Sequence, residues 1–551
     1  MSDADLTIDQ LVDQYSHQQI SRRDFFRRAA LIGVTATGAA SLLATVGSRT
    51  AQANPTQASA PVKGGTLREG YNRDVAPIDP VGTTWWDAGL FPVTHETLLT
   101  ADAKGKFVPL LAQNWTTSKD GRTWKFQLRP GLKFQSGAPC DAKAVAAALA
   151  IIAKQGVNAG FWSPMKSVKA TGKTTVTITL AHPYADLPYV INTGYSAIFN
   201  PAVRKKLKSG YGSKGVDGTG PFSLVELVPG SHSSFKRWEG YPGAGSAKFF
   251  KNKGPAYLDG IQFVVLPEPA SRAQELLSNN IDALLGPAPQ DFANLKANSD
   301  IATFELQEWG MYQLGLDFAN AKAGFDKAPV RQAISMAIDR DAICKTIFFG
   351  KAVPVYTLVP PAFPWYVKAT EKAHPYDPEK AKSMLATAGH PKITFTTIVE
   401  ADKTEQVLAQ SVQAMLAKVG VDMKLEVHGA DWFTVVPKSN AYITHDIWPY
   451  LFDASLLWTG SSYVPPACCN FTHIKVPALD KAYAAWQSAK DSAALAAASR
   501  TAQTVFADQL PFIPLVTPMN LWAHHKRVHN WLPTQPNLYP FYQDVYIDKK
   551  S

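Results

Sequence analysis

Apolar and polar positions alternate with period two at Thr123-Trp124-Lys125-Phe126-Gln127-Leu128 and at Thr175-Val176-Thr177-Ile178-Thr179-Leu180. Each run predicts a strand with one buried face. Residues 64–68, opened by paired glycines, predict another strand, as do residues 261–266 and 422–427. Between them the period changes to three and four. Residues 141–154, 270–278, 330–347, 378–388, 406–419, 478–486 and 494–507 predict helices, and Gly389 and Gly420 stop two of them. In residues 330–347 the apolar face packs inward, which places Arg331 and Arg340 on the solvated side. Lys119-Asp120-Gly121-Arg122 reads as a hairpin turn, with Gly121 supplying the positive φ, and Gly218-Thr219-Gly220-Pro221 as a tight bend. Strands and helices interleave along the chain. The fold class is therefore α/β, a mixed α+β arrangement with mixed sheets.

A chain of 551 residues exceeds one hydrophobic core, so at least two lobes are expected. Hydrophobic residues at 46% and charged residues at 18% are ordinary globular usage and argue against disorder. The net charge of +10 is spread over many segments, and without a Lys/Arg block it does not imply nucleic acid. The four cysteines are Cys140, Cys344, Cys468 and Cys469, with no CxxC spacing; their pairing is left open, although a bridge between the adjacent Cys468 and Cys469 would be strained. No HExxH, CxxCH, GxGxxG or GxSxG motif occurs, so no enzyme activity and no cofactor are expected. His524, His525 and His529 are the nearest approach to a metal cluster. His524 and His529 are five apart and off one helical face, so no metal site is expected there.

Residues 1–53 read as an export signal. Ser21-Arg22-Arg23-Asp24-Phe25-Phe26-Arg27 puts paired arginines before a mild apolar run, and Ala51-Gln52-Ala53 supplies the small-x-small cleavage pattern. The arrangement resembles a twin-arginine (Tat) signal, with Arg22 and Arg23 read by the Tat translocase and cleavage after Ala53. The run is too short and too rich in Gly and Thr for a retained anchor. The leader carries five Arg and five Asp, so the charge of +10 stays with the rest of the chain. Residues 54–63 are expected to be a disordered tether. The expected location is the periplasm.

The order of four further motifs is more specific. Pro109-Leu110-Leu111-Ala112-Gln113-Asn114-Trp115 is followed by Ser118-Lys119-Asp120-Gly121-Arg122-Thr123-Trp124 and Leu128-Arg129-Pro130-Gly131-Leu132-Lys133-Phe134. Gly218-Thr219-Gly220-Pro221-Phe222 comes next, then Val330-Arg331-Gln332-Ala333-Ile334 with Ala337-Ile338-Asp339-Arg340, then Tyr376-Asp377-Pro378-Glu379-Lys380-Ala381-Lys382. Together they resemble the family 5 solute-binding proteins of ABC importers, the dipeptide- and oligopeptide-binding group. The resemblance implies two lobes, 64–315 plus 516–551 and 316–515, joined by a hinge. It implies a periplasmic monomer that closes on a small organic solute, a peptide or peptide-like molecule, and delivers it to a membrane permease.

Candidate ligand contacts follow from the same resemblance together with the aromatic content. Trp85, Trp86 and Asp87 fall in an early pocket segment, while Trp309 and Asp317 flank the expected hinge crossing. Trp448, Tyr450, Asp453 and Trp458 fall on the ligand strand of the second lobe, where peptide binders of this family hold the α-ammonium on an Asp. Tyr450 stands where that Asp belongs, a departure that keeps opine-like conjugates, oligosaccharides and nickel complexes open as alternatives. An exported enzyme is the rival class.

Overall fold

The computed structural model describes residues 61–548 apart from 75, 84–89, 103–105, 158, 244–249, 364, 372, 430, 447–458, 466–469 and 532–539. The chain divides into residues 1–62 and 63–551, and every element below belongs to the second unit. The export-signal residues Arg22, Arg23 and Ala53 lie outside the described residues. No helix among the described residues is long and apolar enough to cross a membrane.

Local signals explain the small antiparallel sheet. Ala112–Thr117 and Thr123–Leu128 pair as a hairpin, closed by the Ser118 N–H donating to Thr123 O at 2.9 Å, with Gly121 at φ +69°. Trp124, Phe126 and Leu128 point inward and Lys125 outward, as the alternation predicts. Thr175–Leu180 and Met165–Ala170 complete four strands. Helix Ala142–Gln155 packs beside them through Val145, Ala148, Leu149 and Ile152; Asp141 caps it by accepting from the Lys143 and Ala144 N–H groups. Such a cap is worth about 1 kcal/mol.

The segment expected to be one helix over 330–347 is two, Ala328–Met336 and Arg340–Thr346. Asp339 restarts the second by accepting from the Ala342 N–H at 2.9 Å. Arg331 and Arg340 are buried rather than solvated. Arg331 donates to the carbonyls of Phe325, Gln509 and Leu510, and Arg340 to Pro514 O and to Ser335. Their guanidinium groups also lie over Phe318 and Tyr356, at 3.8 and 4.6 Å. Helical periodicity identifies the inward face. It carries no information about carbonyl groups that arrive there from the end of helix Ser492–Gln509.

Among the described residues two larger sheets frame the molecule. The first runs Ile301–Gln307, Val516–His525, Ala283–Leu285, Thr66–Tyr71, Gly260–Val265, His232–Arg237, Phe222–Val228, with Ala352–Pro354 also paired to Val516–His525. The second runs Val421–His428, Ile393–Glu400, Ala441–Asp446, Met311–Leu316, Phe512–Pro514. Each contains a parallel set: Thr66–Tyr71 with Gly260–Val265 and Ala283–Leu285 in the first, Ile393–Glu400 with Val421–His428 and Ala441–Asp446 in the second.

The chain passes from the first sheet to the second through Glu308, Trp309 and Gly310, and returns through Leu515. These two segments are laced together. The Thr517 hydroxyl donates to Glu308 O and Gly310 O, the Glu308 N–H to Pro518 O and the Leu515 N–H to Tyr312 O. Register then fixes which sheet ends meet the crossings. Leu285 lies opposite Trp522 and Ala283 opposite His524, so Val516–His525 enters beside the carboxyl end of Ala283–Leu285. Met311 lies opposite Asp446, so Met311–Leu316 starts beside the carboxyl end of Ala441–Asp446. Both parallel sets therefore turn their carboxyl ends towards the crossings, the edge at which open α/β sheets bind ligands.

Candidate functional site

On the second sheet the edge is built by strand ends and one helix start. Strand Ile393–Glu400 ends in Glu400, and Asp402 caps helix Lys403–Ala417 by accepting from the Glu405 N–H at 3.0 Å. Asp402 and Glu405 have capping-box spacing. Glu405, 3% exposed, reaches past the cap instead, accepting from the His445 N–H at 2.7 Å and from the Glu400 N–H at 3.3 Å. One buried carboxyl group thus ties the ends of two parallel strands to the helix. The Thr444 hydroxyl donates to Glu400 Oε1 at 3.2 Å. The His445 ring stacks on Tyr312 with centroids 4.1 Å apart, and its Nε2 lies 3.3 Å from Oε2 of the buried Glu308, close enough for an ion pair but not aligned as a hydrogen bond.

The electrostatics follow from this crowding. Burial, and then the neighbouring Glu400, pushes the Glu405 carboxyl up to about 8. Burial also raises Glu400. The Tyr312 phenol is raised well above its usual value, first by burial and then by Asp402, Glu405, Glu308 and Glu400. Four carboxyl groups therefore act on one phenol. Among the described residues no lysine or arginine forms an ion pair with Glu308, Glu400 or Glu405.

The facing edge of the first sheet carries a buried cation. Helix Pro269–Leu277 begins just beyond Gly260–Val265, and its Arg272, 7% exposed, donates from Nη1 to Gly286 O at 2.6 Å. Its Nε has no described partner, and burial lowers its pKa. Gly286 has φ +66°, and a Cβ there would stand 3.3 Å from the Arg272 guanidinium. Lys403 Nζ and Glu268 Oε2, from the starts of the two helices, approach to 3.5 Å. Both are well exposed, so the contact holds the sheets together weakly and is screened by salt.

Trp309, 8% exposed, sits at the crossing and meets Phe363 edge to face at 5.5 Å. Phe363 contacts Trp365, which contacts both Tyr189 and Trp486, and the Trp486 indole N–H donates to Asp186. An aromatic line thus runs from the crossing to helix Leu187–Asn192 and helix Pro477–Gln487. The Trp309 N–H and both polar atoms of the fully buried Gln313 side chain make no hydrogen bond with a described group. Orphaned buried donors and acceptors of this kind call for an explanation.

Of the residues singled out from sequence, the structure places Trp309 at the crossing and Asp317 away from it. Asp317 follows the far end of Met311–Leu316, roughly 20 Å along the strand. There it accepts from the Ala319 N–H at 2.9 Å and faces His473 Nδ1 at 2.9 Å. Trp85, Trp86, Asp87, Trp448, Tyr450, Asp453 and Trp458 lie outside the described residues. Glu308, Glu400, Glu405, His445 and Arg272 were not picked out from sequence. Only the Asp402–Glu405 spacing signals any of them beforehand.

His524, His525 and His529 diverge, reaching His525 O, Leu276 O and Asp548 respectively. Among the described residues no group of three His, Cys, Asp or Glu could hold a metal ion. Cys140 and Cys344 are buried free thiols, both raised by burial, Cys344 to about 12. Cys468 and Cys469 lie outside the described residues.

Comparison with known proteins shows that residues 106–467 match the family described as bacterial extracellular solute-binding proteins, family 5 Middle. The nickel-binding periplasmic protein of Escherichia coli K12 is 29% identical over 378 residues, covering 64% of this chain and 69% of its own. The glutathione-binding protein GsiB of the same strain is 27% identical over 455 residues, covering 79% and 85%. Among solved structures, the ABC transporter-associated periplasmic binding protein DppA of Helicobacter pylori, in complex with the peptide STSA, superposes with a TM-score of 0.75 at 22% identity, covering 89% of this chain and 99% of its own.

Proposed function

Because the chain belongs to the family 5 bacterial extracellular solute-binding proteins, we propose that it captures a small peptide or peptide-like solute between two lobes and delivers it to an ABC permease. One lobe is built on the first sheet and the other on the second. The hinge is the pair of laced segments, Glu308–Trp309–Gly310 and Leu515, which a few backbone rotations open without unfolding either sheet. The observation that carries this reading is the meeting of both carboxyl edges at the crossings, with carboxyl groups on one side and the buried Arg272 on the other. Two opposed charges across a closing cleft suit a ligand that carries both signs. Closure also presents the surface the permease reads, so binding and docking share one two-state equilibrium. The protein acts as a monomer in the periplasm, reached through the Tat translocase by way of Arg22, Arg23 and cleavage after Ala53, and it performs no chemistry on its cargo.

Small-angle scattering of the purified protein, with and without a ligand found by thermal shift, tests the reading. Closure reduces the radius of gyration when ligand is added. A saturated complex with the scattering profile of the free protein refutes the hinge.

A further inference from the structure

The two lobes also meet away from the crossings. Helix Leu187–Asn192 belongs to the first lobe, where it packs beside Leu99–Ala101, and its Tyr189 meets Phe107 edge to face at 4.6 Å. Trp365 and Trp486 belong to the second. The Trp365 carbonyl accepts from the Ser499 hydroxyl at 3.1 Å and from the Gln503 amide at 2.8 Å, and Trp486 lies in helix Pro477–Gln487. Each group is thus fixed within its own lobe. Between the lobes, the Tyr189 and Trp365 rings pack edge to face at 5.6 Å. Beside them the Trp486 indole N–H donates to the carboxylate of Asp186, 300 residues away along the chain, and both residues are buried.

A contact of this composition can be made and broken. Aliphatic side chains gain no partner in water, whereas a carboxylate and an indole N–H both do. Parting the lobes here therefore costs one charge-assisted hydrogen bond and the burial of a few rings, and unfolds nothing. Tyr189 lies in the same field, since burial, and then Asp186, raises its phenol. The junction is also continuous with the pivot. Trp365 touches Phe363, and Phe363 touches Trp309 in the crossing. A rotation about the crossing displaces groups of the second lobe in proportion to their distance from the axis, so it draws Trp365 and Trp486 away from Tyr189 and Asp186.

We propose that Asp186 and Tyr189 on the first lobe, with Trp365 and Trp486 on the second, form a latch that biases the lobes towards closure before any solute is bound. The proposal rests on the hinge reading above and adds to it a contact that holds the hinge shut. The latch raises the fraction of free protein in the closed, binding-competent form. It therefore strengthens the apparent affinity for every solute by the same factor and leaves selectivity to the cleft.

Small-angle scattering of the purified, solute-stripped protein, parent against Trp486→Phe, Tyr189→Leu and Tyr189→Phe, tests the latch. Trp486→Phe keeps a ring beside Trp365 and removes the indole donor, while Tyr189→Leu removes the ring from the other lobe. Both should have a larger radius of gyration than the parent, and Tyr189→Phe, which keeps the ring contact, the same radius. Losing one charged hydrogen bond shifts the closed-to-open ratio about ten- to a hundredfold. Thermal melting shows which variants are folded, and either expanded variant carries the comparison alone. Loss of the fold in both Trp486→Phe and Tyr189→Leu marks the junction as permanent core and overturns the latch. Equal radii in parent and variants overturn it too, as does an expansion in Tyr189→Phe as large as that in Tyr189→Leu. The hinge is tested separately, by contraction of the parent with whichever of the dipeptide Ala-Phe, glutathione and the nickel–histidine complex raises its melting temperature. Contraction with unaltered variants loses the latch and keeps the receptor; a saturated complex that does not contract, with unaltered variants, loses both.

Discussion

Replacing Glu69 by glutamine should change how stability depends on pH, and the structure sets the sign. Glu69 lies in Thr66–Tyr71 at the centre of the first sheet, fully buried, with Oε2 accepting from the Trp531 N–H and the Tyr542 hydroxyl, both at 2.9 Å. Those two bonds favour the charged form, but burial outweighs them and raises the carboxyl from 4.5 to about 7. His524, on the same sheet face, is itself driven down to about 4 by burial and supplies no positive charge at neutral pH. The folded protein thus holds this proton more tightly than the unfolded chain. Its contribution is complete below pH 4.5 and is lost as the pH rises through about 7. A shift of that size corresponds to about 3 kcal/mol. Glu69→Gln keeps an oxygen for Trp531 and Tyr542 and removes the titration. Urea unfolding of both proteins between pH 4.5 and pH 9 is the assay. Relative to the parent, the variant should gain about 3 kcal/mol as the pH rises and then level off. The other raised acids, Glu96, Glu400 and Glu405, are common to both proteins and cancel in the difference. A difference that stays flat with pH, or moves the other way, refutes the argument that burial governs this carboxyl.

Three further outcomes are expected. Arg331→Met leaves the carbonyls of Phe325, Gln509 and Leu510 unpaired and should cost about 2 to 4 kcal/mol in denaturant unfolding, far more than a surface arginine. Gly220→Ala puts a Cβ 2.6 Å from the Thr94 carbonyl carbon, backbone that cannot swing aside, and should lower the melting temperature and the soluble yield together. Lys403→Ala removes the ion pair with Glu268, so ligand affinity should fall about threefold or less in dilute buffer and not at all in 0.5 M salt, as titration at the two ionic strengths would show.

Much of the local structure was legible because local physics causes it. The Asp141 cap and the Asp-Gly turn satisfy their own backbone groups within a few residues, and the alternation at Thr123–Leu128 marks its buried face residue by residue. The same logic failed at Asp339, which has the spacing of a cap but sits inside an apolar period long enough to read as one continuous helix. It failed again at Arg331 and Arg340, where arginine on an inward face finds carbonyl groups more than 170 residues away. Trp309 was singled out through the family resemblance, which sets it beside the expected hinge crossing. Glu400, Glu405 and Arg272 were not, since an acid or arginine near a helix start is ordinary on any surface.

By itself the amino-acid sequence determined the class of fold, a part of its elements and the family, because period, caps, turns and ordered motifs are properties of short segments. Tertiary structure alone decided where the site lies. The parallel pairing of Ile393–Glu400 with Ala441–Asp446, and the antiparallel entry of Met311–Leu316 beside them, bring Glu308, Glu400, Glu405 and His445 to one edge. The same strand carries Asp317 to the other end. Charge becomes a binding determinant only when water is removed from around it, and which charges lose their water is settled by the meeting of distant strands.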